Sequence, residues 1–176
     1  MVRATRLRAH RRTRGRRARG GVAQCLAQCV AHCASLNMRR RERERFDALF
    51  DEVLALMPAS IHTLIEECPL VLEDAPSAQL LAELGLSEDD EILCGLHTGI
   101  PLTERSVDRA ELGNIVHIFR EGVLDMAGGW DEGIDEDGTP YGGEARVREE
   151  IRITILHELG HHFGLDEDDL ERLGYA

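Results

Sequence analysis

The sequence predicts an α+β fold, an α/β two-layer arrangement in which a small sheet packs on one long helix, joined by a second amphipathic helix toward the N-terminal side. Three observations carry this reading. Stretches 42–57 and 144–163 repeat apolar residues at helical spacing. Three short runs between them, 70–74, 92–96 and 114–119, have the length and the bounding turn residues of strands. An aromatic content of 4% leaves a core built of Leu, Ile, Val and Ala. At 176 residues the chain fits one such core.

Charge divides the chain. Residues 1–37 hold nine arginines and no acid, whereas 38–176 hold 12 basic and 33 acidic residues, so a head of +9 precedes a body of −21 in an acidic protein of net charge −12. Such a body repels phosphate backbones and anionic lipid, which predicts neither a nucleic-acid nor a membrane partner. No apolar run reaches the roughly 20 residues of a membrane helix. Five cysteines, three of them in the head, make no disulfide framework and point to the cytoplasm. Within the head, residues 23–34 are low-complexity, and Gln24, Gln28 and His32 interrupt what would be the apolar segment of an export signal. Cys25, Cys29, His32 and Cys33 lack the two separated pairs of a zinc knuckle. Residues 1–37 are therefore expected to be a disordered or misassigned extension, and 38–176 the folded domain.

The elements follow in order. Phe46, Leu49, Phe50, Val53, Leu54 and Met57 mark an amphipathic helix that stops before Pro58. Residues 61–68 suit a short helix ended by Pro69, and 70–74 a strand bounded by Pro76. A connection is expected over 75–91, strands over 92–96 and 114–119, and a mobile loop or weak hairpin around Trp130 over 121–143. Val147, Ile151, Ile155, Leu159 and Phe163 recur every fourth residue, so 144–163 is a long helix closed by Gly164. Asp166 then caps a last short helix ending at Gly174.

Chemistry sits on the long helix. His157-Glu158-Leu159-Gly160-His161 is an HExxH motif, and residues four apart lie one turn along on one face, where two imidazoles can share a zinc ion. Glu158, one residue on, is placed to take a proton from a metal-activated water. The pattern is expected only about 0.04 times by chance in this composition, and it falls where periodicity predicts a helix. Only 15 residues follow His161, which leaves no distant downstream ligand. The spacing HExxHxxGxx reaches Glu167 after a turn at Gly164, with Asp166 and Asp168 as alternatives and His117 as an upstream candidate. Helix capping is the competing explanation of those acids.

Other residues carry weaker signals. His162, four residues from Glu158, is read as structural; His62, His97 and His117 are isolated and read as packing or surface residues. Gly133, Asp135, Asp137, Gly138 and Glu144 match later positions of a calcium loop, but Gly133 fails at its first and Pro140 at its eighth, leaving a solvated acidic loop as the expectation.

From His157 to Leu165, followed by acids, the sequence resembles the minimal zincin-like zinc metallopeptidase family, short bacterial proteins with HExxHxxGxx[D/E]. The resemblance extends to the charged helix 39–56, to Pro69-Leu-Val-Leu-Glu-Asp74 and to Leu96-His-Thr-Gly-Ile-Pro-Leu-Thr-Glu-Arg105, covering roughly 38–175. It implies a small mixed sheet beside an active-site helix, with one Zn2+ bound by both histidines and a following acid. Glu167 stands where the family usually has Asp. No methionine follows the motif, which separates the chain from metzincins.

The function expected is that of a zinc-dependent peptide-bond hydrolase, a metallopeptidase acting as a cytoplasmic monomer on a peptide or protein substrate. His157, His161 and Glu167 would hold the metal, and Glu158 would be the catalytic general base. Tyr175, Tyr141, Arg105 and His97 are candidates for the oxyanion donor, and an edge strand could receive the peptide. The alternative is a non-catalytic, zinc-stabilised interaction domain; a third reading makes the acidic surface a docking face for a basic protein.

Overall fold

The structure, a computed structural model, describes residues 2–3, 38–86, 92–100, 113–136 and 138–175. In chain order the elements are β1 (Val2–Arg3), α1 (Arg40–Leu56), α2 (Ala59–Glu67), β2 (Leu70–Glu73), α3 (Ala78–Leu84), β3 (Gly95–Thr98), β4 (Ile115–Phe119), α4 (Arg120–Ala127), β5 (Gly133–Ile134), β6 (Pro140–Tyr141), α5 (Glu144–His162) and α6 (Glu167–Leu173). The architecture is α+β. One sheet has the order β1-β3-β4-β2, with β2 parallel to β4 and the other pairs antiparallel; β5 and β6 form a separate hairpin.

Strand periodicity assigns the faces of the sheet. Val116 and Ile118 of β4 join Phe46, Leu49, Phe50 and Val53 of α1, Val123 and Ala127 of α4, and Val147, Ile151, Ile155 and Leu159 of α5 in the main core. Leu96 and Phe119, pointing the opposite way, pack with Leu93 and the partly buried Leu80 and Leu84 beneath α3. Gly95 pairs with Ile118 and His97 with Val116, so both face the α5 side. The apolar stripe of α5 is buried as its spacing predicts, except that Phe163 stays 38% exposed just beyond the last turn.

Three expectations are corrected. The expected connection 75–91 contains α3, capped by the Ser77 side chain, which accepts from Leu80 N at 3.1 Å, and closed by Gly85 at φ 69°. The expected loop 121–143 opens with α4, which buries Val123 and Ala127 one turn apart and closes at Gly128, φ 87°. The strand expected over 92–96 begins three residues later, at Gly95, and ends at Thr98.

One ionic cluster joins three elements. Asp74, just past β2, accepts from Arg43 of α1 and, at 3.1 Å, from Nη1 of Arg120, whose Nε donates to Asp47 at 2.8 Å. The Arg43 guanidinium, with Arg120 behind it, holds the Asp74 carboxyl below its ordinary value. No single helix among the described residues is long and apolar enough to cross a membrane.

Candidate metal centre

The site begins with the way α5 ends. Gly164 takes φ 82°, a left-handed conformation that costs glycine little, and the turn closes with Gly164 N donating to the His161 carbonyl at 3.0 Å and Leu165 N to the Gly160 carbonyl at 3.1 Å. The chain reverses there and starts α6 at once. Asp166 caps it, its side chain accepting from Asp169 N at 2.9 Å. Gly160 lets the two helices approach, because a Cβ there would lie 2.5 Å from Cδ2 of the buried Leu170.

This reversal brings Glu167 over the histidines. Nε2 of His157 and Nε2 of His161 each lie 3.5 Å from a different oxygen of the Glu167 carboxylate. One ligand atom from each residue falls in a set mutually within 4.8 Å. His157 and His161 are buried, whereas the Glu167 side chain is 56% exposed, so the centre opens to solvent on the α6 side. Of the alternatives, Asp166 is engaged in the cap, and Asp168 does not join the His157–His161–Glu167 set. His117 lies on the other face of the sheet, its Nδ1 3.3 Å from Glu73.

The ring tautomers follow from the partners. His161 Nδ1 donates to the Leu165 carbonyl at 3.0 Å, and His157 Nδ1 donates to the Tyr175 carbonyl. A carbonyl can only accept, so in its neutral form each ring carries the proton on Nδ1 and turns an Nε2 lone pair toward Glu167. Burial, reinforced by neighbouring His161 and opposed by the Tyr175 carbonyl, pushes His157 down to about 4, which keeps it neutral near pH 7. Neither Nε2 has a hydrogen-bond partner among the described residues. Two lone pairs and a carboxylate converging on one point repel unless a cation sits between them. The donor set of two imidazoles and one carboxylate suits zinc.

Glu158 is buried beside β3. Its Cγ and Oε1 would each lie 2.7 Å from a Cβ built on Gly95, so Gly95 makes the room that this carboxylate occupies. Two residues along β3, the His97 ring meets that of His162 edge-on at 5.7 Å between centroids. Burial, with His162 and His161 nearby and opposed by a hydrogen bond with Asn114, pushes His97 down to about 4, and its Nε2 has no hydrogen-bond partner among the described residues. His97 is thus not isolated, contrary to expectation. His62 is exposed.

The remaining expectations divide by place. The Tyr175 carbonyl supports His157, while the ring lies 5.9 Å from the Arg152 guanidinium. Tyr141 packs over Gly133 in the hairpin, and Arg105 is outside the described residues. In the acidic loop, Asp135 accepts from Thr139 N at 2.8 Å, Glu144 pairs with Arg45 at 3.0 Å, and Asp137 is outside the described residues. The cysteines and histidine of 25–33 also lie outside them.

Sequence reasoning missed Gly95, Gly160 and the two carbonyls that orient the imidazoles. A glycine inside a strand run is a signal of close approach, and Gly95 carried it. Backbone carbonyls leave no mark in a sequence. A family model described as zincin-like metallopeptidase matches residues 65–175. No curated protein matches the chain.

Proposed function

The chain belongs to the zincin-like metallopeptidases, and from that premise we propose that it is a zinc-dependent peptide-bond hydrolase with one zinc ion at this centre, held by His157, His161 and Glu167. The observation that carries the reading is the convergence on the Glu167 carboxylate of two buried Nε2 atoms that have no hydrogen-bond partner among the described residues. A zinc ion there supplies Lewis acidity to a scissile carbonyl and lowers the pKa of a water.

The protein groups divide the remaining work. Glu158 accepts the proton of the attacking water at its carboxylate and passes it to the departing amine nitrogen as the C–N bond breaks, leaving a carboxylate and an amine. The Leu165 and Tyr175 carbonyls fix the imidazoles with Nε2 facing the centre. The exposed side of Glu167 leaves an approach for substrate. An extended peptide would pair with β3 in the place that Val2–Arg3 takes, where Val2 pairs with Thr98 and Arg3 with His97 in antiparallel register. We also place the protein in the cytoplasm as a monomer, with no nucleic-acid or membrane partner, on the charge and cysteine content given above.

Glu158→Gln is the test. It should keep zinc and fold while lowering hydrolysis of a peptide library by about 10²–10⁴-fold, the range that general-base catalysis supplies. Unchanged hydrolysis by a zinc-loaded Glu158→Gln protein contradicts the mechanism. A folded wild type that binds zinc and cleaves nothing favours the zinc-stabilised interaction domain.

A further inference from the structure

Behind the catalytic helix lies a second set of donors. Cys68 ends α2, His97 is in β3 and His162 is the last residue of α5; all three are buried. The helix–strand register brings the last two together. From Glu158 to His162 is one turn, about 6 Å of rise, and from Gly95 to His97 is two strand residues, about 6.6 Å. Gly95 therefore faces Glu158 while His97 faces His162. Cys68 reaches the same place from the α2–β2 junction, and one ligand atom from each of the three falls in a set mutually within 4.8 Å.

A second observation points to a ligand. His97 is 1% exposed, and its Nε2 is buried without a hydrogen-bond partner among the described residues, an arrangement whose desolvation cost a protein normally avoids. We propose that Cys68, His97 and His162 bind a second zinc-class cation, separate from the His157–His161–Glu167 centre. One thiolate and two imidazoles suit zinc and exclude magnesium and calcium, which take oxygen donors. Binding forms one metal–sulfur and two metal–nitrogen bonds, and the thiol proton leaves to solvent. The cation ties the α2–β2 junction and β3 to the helix that carries HExxH. The proposal does not depend on hydrolytic activity.

Cobalt distinguishes the two centres, because only the second has a thiolate. In the full chain with Cys25, Cys29 and Cys33 replaced by serine, Co2+ titration should reach two equivalents and develop a thiolate-to-cobalt charge-transfer band. Cys68→Ser and His97→Ala should each lose the band and one equivalent, while Cys94→Ser keeps both. His161→Ala should lose the other equivalent and keep the band; if it keeps both equivalents, the catalytic centre fails and this site stands. The proposal is overturned if the parent chain shows no thiolate band, or if the band disappears in Cys94→Ser. Since the parent and Cys94→Ser spectra identify Cys68 by elimination, the test holds even if Cys68→Ser does not fold.

Discussion

At the scale of single residues, the centre depends on atoms that hold others in place. Gly95 is one. A methyl group there would press on Glu158 within 2.7 Å, and the carboxylate would have to move by a sizeable fraction of an ångström or more. Since a misplacement of about 1 Å can cost about 10²-fold, Gly95→Ala should lower kcat by about 10–100-fold with zinc content unchanged. Steady-state kinetics beside elemental analysis checks this; loss of zinc together with activity would mean that Gly95 serves the fold instead. Glu167 makes a different prediction. As a direct ligand, its change to alanine should weaken zinc by more than the about 10–100-fold that removal of an outer-shell partner costs, whereas Asp168→Ala should leave affinity within about twofold. Competition with a chromophoric chelator reads both.

At the scale of elements, the turn that joins α5 to α6 decides whether a short chain can supply a third ligand at all. Gly164 at φ 82° is the pivot. Gly164→Ala forces a side chain into the left-handed region at about 1–2 kcal/mol and should lower both Tm and zinc affinity; an unchanged affinity would separate the turn from the site. The Asp74 cluster is the other junction. Its folded-state pKa is held below the ordinary 3.8 by Arg43 and Arg120, so the unfolded chain takes up the proton first. The stability this contributes is present above about pH 4 and is lost as pH falls through the lower, folded value. Asp74→Asn should therefore reduce stability at neutral pH and flatten the acid limb of the Tm–pH curve. A curve parallel to wild type would contradict the pKa shift.

At the scale of the whole molecule, what was legible in the sequence followed from regular spacing. The fourfold repeat from Val147 to Leu159 gave α5, and Asp166 and Gly174 bounded α6, because caps and periodicity are local signals. Three-dimensional convergence was legible only through the motif. Helices α3 and α4 went unread because they are seven and eight residues long, too short for periodicity to outweigh the flanking glycines and acids. His97 and His162 looked unrelated because their contact depends on how β3 lies against α5. The metal should also matter to the molecule as a whole. At zinc about 1,000-fold above Kd, binding adds about 4 kcal/mol. At about 2–4 °C per kcal/mol for a chain of this size, chelation should lower Tm by about 10 °C, reversibly on return of zinc.

If the protein is the peptidase proposed, its hydrolysis arises at the His157–His161–Glu167 centre and nowhere else. The most direct measurement is peptide-library cleavage by the metal-stripped full chain as zinc is returned in steps, with His161→Ala alongside. Cleavage should be absent without metal, rise to a plateau as zinc fills the centre, and not rise in His161→Ala. Cleavage that persists in the stripped chain, or its absence from a folded chain saturated with zinc, would contradict this assignment.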